Sequence, residues 1–142
     1  MPSFTSTVPN LRGFGPLVKV RLTVGMSAEA AFRSRSILLP PPLEIDAMID
    51  TGATGTVIRE GLAGQLGLKP VGVANISTPS SVNVQCYEYL VRLLFPNNVQ
   101  IETKAIEAPL QGQHIQCLIG RDVLAHGVLV YIGYANLFSL SF

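Results

Sequence analysis

The chain has 142 residues, of which 48% are hydrophobic and 13% are charged, and its net charge is +1. This length suits one domain with its own core, and the high apolar content excludes a disordered segment. The charges are scattered without a basic stripe, so we expect no nucleic-acid partner. Residues 1–10 lack the features of a signal peptide, and polar residues interrupt the apolar stretch 123–142. We therefore expect a cytoplasmic protein without a membrane helix.

The first third of the chain predicts an arm and two strands. Residues 1–15, which contain Gly13 and Gly15, are expected to form an irregular arm. Residues 17–24 alternate between apolar and polar side chains, as a half-buried strand does. Residues 25–39 fit no single pattern, and a loop with a short extension of the hairpin is one interpretation. Three prolines then form a stiff connection to an apolar strand at residues 43–49.

The rest of the chain predicts more strands and little helix. Residues 59–66 carry apolar side chains at four-residue spacing before Gly67, which predicts a short helix. Further strands are expected at residues 82–95, 99–106, 118–119, 128–132 and 137–142. The alternation of the longest strand changes phase between Cys86 and Tyr87, where a bulge would fit. The predicted fold class is all-β with one or two short helices.

One carboxylate follows the strand at residues 43–49. Asp50 precedes Thr51 and Gly52, and Gly52 lets the backbone turn back beside the carboxylate without a Cβ clash. The hydroxyls of Thr51 and Thr54 can form hydrogen bonds within such a turn. An Asp held in this way at the mouth of a sheet is the group that an aspartic protease needs.

A second motif stands near the C-terminus. It is the run Leu118-Ile119-Gly120-Arg121-Asp122-Val123-Leu124. Together with the run from Ile49 to Ile58, it resembles the paired motifs of the retropepsin-like (retroviral-type) aspartic proteases. An Asp-Thr-Gly triplet alone is common by chance, but two motifs in this order and hydrophobic context are specific. The resemblance extends from residue 15 to the C-terminus.

The resemblance implies a single-lobe, closed β-barrel protease domain over residues 16–142 that acts as a homodimer. Asp50 of each subunit would give one carboxylate to a dyad that shares a proton and activates a water. The dyad would hydrolyse peptide bonds in extended, largely apolar segments, without a metal or another cofactor. Thr51 and Gly52 would support it, and Gly120, Arg121 and Asp122 would form the structural second motif.

Substrate contacts also follow from the resemblance. Ala53 and Thr54 would lie along the bound peptide, which would add its backbone as an extended strand. A hairpin called the flap would close over the peptide and exclude water. Its substrate-binding residues would be Ile76, Ser77, Thr78, Pro79, Ser80 and Ser81. An ordinary solvent-exposed hairpin is the alternative interpretation of this segment.

Three features depart from the retroviral pattern. Retroviral flaps are usually rich in glycine, whereas residues 76–83 contain none. The position four residues after Asp50 is often acidic and pairs with the motif arginine, but here it is Thr54. Arg121 therefore needs another partner, either Asp122 or a carbonyl. Cellular and bacterial members commonly have a small hydroxyl residue at the position of Thr54, so the chain resembles those members more. Finally, residues 128–142 add a hairpin that could alter dimer formation or occupy the terminal edge within one subunit.

The remaining aspartates and the cysteines receive structural interpretations. Asp122 is expected to stabilise a helix N-terminus instead of acting as an intrachain partner of Asp50, and Asp46 to be solvated or ion-paired. Cys86 and Cys117 are expected to be buried, reduced thiols, and no metal site has ligand spacing. The alternative function is a catalytically silent module of the same family that binds peptides or only dimerises. A plain β-barrel domain with Asp50 as a turn residue is the third interpretation.

Overall fold

The computed structural model describes residues 2–78, 81–110 and 113–142. Ten strands and four α-helices lie in these ranges. In chain order they are β1 (Ser3–Thr7), α1 (Leu11–Phe14), β2 (Leu17–Val24), α2 (Met26–Ser34), β3 (Leu43–Ile49), β4 (Val57–Arg59), α3 (Leu62–Gln65), β5 (Gly72–Thr78), β6 (Ser81–Leu94), β7 (Gln100–Ala108), β8 (Cys117–Ile119), α4 (Arg121–Leu124), β9 (Val128–Ile132) and β10 (Leu137–Ser141). Short 3₁₀ turns at Pro96–Asn98 and Gly133–Ala135 precede β7 and β10. The protein is mostly β, as the sequence predicted.

The strands form two sheets. The larger has the order β2-β3-β8-β4-β7-β6-β5, and β2 also pairs antiparallel with β6. The smaller has the order β1-β10-β9. Within the larger sheet, β3 pairs parallel with β8, which aligns Ile49 with Ile119. Since both strands end at the same edge, the two sequence motifs that follow them begin side by side.

The core forms where the alternating strands predicted it. In β2, the side chains of Val18, Val20, Leu22 and Val24 are buried. Aromatic rings join the two sheets, because Phe4 of β1 stacks on Phe95, the residue after β6, with ring centroids 5.8 Å apart. Within the small sheet, Phe4 meets Phe138 of β10 edge-on at 6.3 Å. The small sheet is therefore fixed to the large one by apolar packing.

The first residues correct the prediction of an irregular arm. β1 pairs antiparallel with β10 in a register that runs from Ser3 opposite Ser141 to Thr7 opposite Leu137. The short helix α1 follows and is capped by Asn10, whose Oδ1 accepts the N–H of Gly13 at 3.2 Å. The partner strand β10 lies at the other end of the chain, so no local pattern in residues 1–15 predicts the pairing. The start of the expected protease domain at residue 16 stays a prediction.

The helices also differ from expectation. Helix α2 occupies nine of the residues that fitted no pattern, and none of its side chains is fully buried, which explains the weak apolar periodicity. The helix predicted at residues 59–66 is shorter, because the segment starts as β4. Ile58 of that strand is buried and pairs with Cys117 of β8, so sheet pairing overrides the local helical spacing. None of the helices in the described ranges is long and apolar enough to cross a membrane.

The predicted bulge between Cys86 and Tyr87 was misplaced. Strand β6 is continuous there, and the register shift of the β5–β6 hairpin lies instead between Ile76 and Thr78. The change of phase has another cause. The first half of β6 pairs with β5, whereas its second half pairs with β7 and β2. The buried face changes between the halves, from Cys86 to Tyr89 and Val91.

Candidate active site

Asp50 lies immediately after β3 and is held by its own turn. Its N–H donates to the carbonyl of Ile119 at 2.9 Å, and its carbonyl accepts the N–H of Ala53 at 3.1 Å. Its Oδ1 accepts the N–H of Gly52 at 2.9 Å. A Cβ on Gly52 would lie 3.1 Å from that same oxygen, so a larger residue would crowd the carboxylate. The half-buried Asp50 side chain therefore has a defined direction at the end of a buried strand.

The turn that carries Asp50 encloses the end of β8. One arm of the turn, β3, pairs parallel with β8, and the other arm, β4, pairs antiparallel with it. Gly120, the residue that follows β8, sits directly against the turn, because a Cβ there would lie 2.5 Å from the carbonyl carbon and oxygen of Gly55. Only glycine permits this approach of two backbones. The two sequence motifs thus form one structural unit.

Arg121 fastens the other side of the turn. Its guanidinium donates to the carbonyl oxygen of Thr51 at 2.7 Å and to Oγ1 of Thr54 at 3.2 Å. Its N–H donates to the carbonyl of Ala53 at 2.9 Å. Of the two partners considered from the sequence, a carbonyl is the correct one. Both backbone polar groups of Ala53 bond within the lobe, which leaves its half-buried side chain and a second carbonyl lone pair for any substrate contact.

Asp122 corrects the prediction of a helix-capping carboxylate. It lies in the first turn of α4, but its Oδ1 accepts the hydroxyl of Thr56 at 2.8 Å and its Oδ2 accepts the hydroxyl of Thr103 at 2.6 Å. Thr56 is fully buried, and its Oγ1 in turn accepts the N–H of Gly120 at 3.2 Å. Buried hydroxyls need such partners, and a carboxylate supplies two at once. Asp122 is thereby engaged inside the lobe and joins α4, β7 and the Asp50 turn.

Sequence reasoning gave no role to Thr56 or Thr103. Thr56 lies within the first motif as a hydroxyl residue next to the apolar β4, and a buried polar residue at such a place signals a hydrogen-bond network. Thr103 lies on β7, 47 residues after Thr56 and 19 before Asp122, so no local pattern links it to either motif. The pairing of β7 with β4 brings it near Thr56.

Asp46 and the cysteines behave as the sequence predicted. Asp46 forms an exposed ion pair with Lys19, whose Nζ lies 3.0 Å from its Oδ1, and this contact raises the pKa of Lys19. Cys86 and Cys117 are buried free thiols. Burial raises the pKa of the Cys117 thiol to about 12, and it also raises the pKa of Cys86. Within the described ranges, no group of three or more His, Cys, Asp or Glu side chains could hold a metal ion.

The segment predicted as a flap lies on a hairpin. Ile76, Ser77 and Thr78 belong to β5, and Ser81 begins β6 opposite Thr78. Pro79 and Ser80 lie outside the described residues. Ile76 pairs with Val84 across the hairpin, and both are partly exposed. The position of the hairpin agrees with the prediction, whereas its closure over a substrate stays a prediction.

A mostly β lobe with one Asp-Thr-Gly turn, locked by a Gly-Arg-Asp segment, defines the class of retropepsin-like aspartic proteases. The comparison with protein families agrees with this class. The family described as "gag-polyprotein putative aspartyl protease" matches residues 43–126, and the chain belongs to this family. The matched range contains both motifs. No curated protein sequence matches the chain.

Three solved structures resemble the fold. A retropepsin-like aspartic protease from Rickettsia conorii has a TM-score of 0.58 at 13% identity, over 99% of this chain and 90% of that one. The foamy viral protease-reverse transcriptase in complex with an RNA/DNA hybrid has a TM-score of 0.48 at 18% identity, over 78% of this chain and 12% of that one. The retroviral protease-like domain of Ddi1 from Leishmania major has a TM-score of 0.43 at 14% identity, over 81% and 80%. At these identities the rickettsial structure supports the fold alone, and the two lower scores add nothing to it.

Proposed function

We propose that this protein is an aspartic endopeptidase that hydrolyses peptide bonds in extended, largely apolar segments. Its catalytic unit is a homodimer in which each subunit contributes one Asp50. The observation that carries the proposal is the Asp50 turn, whose carboxylate is oriented by Gly52 and whose backbone is fixed by Ile119 and Arg121. Such rigidity is what a catalytic carboxylate needs, because it must meet its partner and a water in one geometry.

A second Asp50 follows from the other aspartates of the chain. Water activation by carboxylates needs two of them in one site, one ionised and one protonated. The chain has three aspartates, and Asp46 is paired with Lys19 while Asp122 is engaged by two threonine hydroxyls. Neither is free to serve Asp50, so we assign the second carboxylate to another copy of the chain.

The C-terminal hairpin supports one mode of dimerisation. β10 lies between β1 and β9, so the terminal strands already pair within one subunit. Among the described strands β9 has one neighbour, and its outer edge is open. Three side chains of β9 (Val128, Val130 and Tyr131) are about half exposed, and Tyr134 of the following turn is almost fully exposed. An open edge with apolar side chains favours pairing with a second copy.

The edge strand β9 lies close along the chain to the residue that holds the catalytic turn. β9 follows α4 after three residues, and Arg121 at the start of α4 holds the turn. We propose that a twofold axis near β9 brings the two Asp50 turns together, with Thr51 and Gly52 supporting the dyad. The closed β-barrel that the proposal assigns to each lobe is supported by β2, which pairs with both β3 and β6.

The substrate assignments remain proposals of the same kind. Ala53 and Thr54 on the turn, and the hairpin residues from Ile76 to Ser81, would contact the peptide. Partly exposed Ile76 and Val84 offer apolar contacts there, which supports a preference for apolar side chains. The hairpin would act as the flap. A cytoplasmic location is proposed as well.

The test compares wild type with Asp50→Asn on a complex peptide pool, read by mass spectrometry from about pH 4 to about pH 8. Loss of the general base and the shared proton is expected to lower the cleavage rate by at least about 10²–10⁴-fold, with a maximum for wild type at mildly acidic pH. The matched control is Asp46→Asn, which removes an exposed carboxylate on the preceding strand and should retain activity.

Dilution supplies a second readout, because the specific activity of a dimer-dependent site falls as the protein dissociates. Equal cleavage by wild type and Asp50→Asn would refute the proposed chemistry. A folded dimer that binds peptides without cutting them would instead establish the alternative, a catalytically silent module.

A further inference from the structure

A cavity of about 340 Å³ lies between α2 and the segment that leads from α3 into β5. This volume falls within the range of small-molecule sites, about 300–1,000 Å³. Most of its lining is apolar. The apolar side chains that matter here are Ala28, Phe32, Ile37, Leu68, Val71 and Leu90. Asp50 and its turn take no part in the lining, so the cavity is separate from the candidate active site.

The way in which α2 is attached explains why the cavity stays open. Glu29 of α2 forms a 2.6 Å ion pair with Arg92 of β6, and the carboxylate of Glu102 accepts the N–H of Met26 at 2.7 Å. These polar contacts hold the helix together with the partly buried Ala28 and Phe32, since none of its side chains is fully buried. Two of the helix residues that face the cavity are Ala28 and Ala31, whose short side chains leave the space beneath the helix unfilled.

The charge at the cavity is positive. Arg35 and Lys69 line it, and no carboxylate in residues 2–78, 81–110 and 113–142 forms an ion pair with either. Glu29, which lies on the same helix, is occupied by Arg33 and Arg92, and these contacts lower its pKa. An anion entering the cavity would therefore meet two cations that have no partner in the described part of the chain.

We propose that this cavity binds a medium-chain fatty acid. The aliphatic chain would lie against Phe32 and Leu68, and the carboxylate would pair with Arg35 and Lys69. A peptide fits the site less well. Each residue of a peptide carries an amide that needs hydrogen-bond partners, and an apolar lining leaves those groups unsatisfied. A fatty acid has one polar group, which matches the two cations at the cavity.

The test uses decanoate as the probe, kept below the concentration at which it self-associates. Titration of the ¹⁵N-labelled protein is expected to shift the amide resonances of Ala28, Phe32 and Leu68, with calorimetry giving the affinity. Arg35→Gln combined with Lys69→Gln should weaken decanoate binding about tenfold, since two exposed ion pairs are lost. Arg12→Gln removes an exposed cation elsewhere and should leave the affinity unchanged.

Neutral 1-decanol separates the two parts of the proposal. It is expected to bind more weakly than decanoate, and the double variant should not change its affinity. Ala28→Phe should block both probes by filling the cavity. Decanoate shifts elsewhere on the lobe, no saturable shifts at all, or equal affinity of the double variant and wild type for decanoate would each overturn the proposal.

Discussion

Gly120→Ala tests whether the two motifs form one unit. A Cβ at this position would lie 2.5 Å from the carbonyl carbon and oxygen of Gly55 and 3.0 Å from the nitrogen of Thr56, whereas ordinary contact begins at 3.4 Å. All three atoms belong to backbone that cannot rotate away. The segments must separate, which strains the hydrogen bond from the Gly120 N–H to Thr56 and that from the Arg121 N–H to Ala53.

The expected loss in the free energy of unfolding follows from these contacts. Overpacking in a well-packed interior costs about 1–3 kcal/mol. Loss of two hydrogen bonds costs about 0.5–1.5 kcal/mol each. We therefore expect Gly120→Ala to lower the free energy of unfolding by about 2–6 kcal/mol, a large share of the about 5–15 kcal/mol typical of a domain. Urea unfolding followed by circular dichroism measures this change.

Gly64→Ala is the matched control. Gly64 lies in α3, and nothing stands within 4 Å of the position its Cβ would take. Alanine in an open helical position should stabilise the protein by up to about 1 kcal/mol. If Gly120→Ala unfolds at the same urea concentration as Gly64→Ala and retains full cleavage activity, the close contact between the motifs has no energetic importance and the reasoning is wrong.

Two further predictions concern groups inside the lobe. Asp122→Ala deprives the Thr56 and Thr103 hydroxyls of their acceptor, so urea unfolding should show a loss of about 3–6 kcal/mol, against about 1–3 kcal/mol for Asp122→Asn, which keeps one acceptor; equal, small losses would contradict the network. For the thiols, reaction requires the thiolate, and a pKa of about 12 leaves about one Cys117 thiol in ten thousand ionised at pH 8. A thiol reagent should therefore modify Cys86 before Cys117 in the folded protein, faster as the pH rises, and mass spectrometry that finds Cys117 modified first would refute this order.

The site residues that could be predicted from the sequence act over short distances along the chain. The Asp50 turn depends on Gly52 and Ala53, two and three residues away, so its composition already indicates its shape. β2 could be predicted in the same way, because the alternation of its apolar and polar residues reflects burial on one face. Local chemistry and periodicity are sufficient in both cases.

The features that escaped prediction depend on partners far along the chain. β1 exists because β10 pairs with it, and α2 is held by Arg92 and Glu102 in addition to the partly buried Ala28 and Phe32. The role of Asp122 also depends on partners far along the chain. A carboxylate in the first turn of a helix is an ordinary capping group, but the hydroxyls of Thr56 and Thr103 take both of its oxygens.

The contacts of the Asp50 turn bear on how activity depends on assembly. Within the described residues, Ile119, Gly120, Arg121, Asp122 and Ile106 form hydrogen bonds to this turn, in addition to those within the turn itself. A single subunit can therefore hold its half of the proposed site in shape without a partner. In the proposed dimer the second subunit supplies the second carboxylate. Dilution should consequently abolish cleavage while the lobe stays folded, which separates this arrangement from one in which folding and dimerisation are a single step.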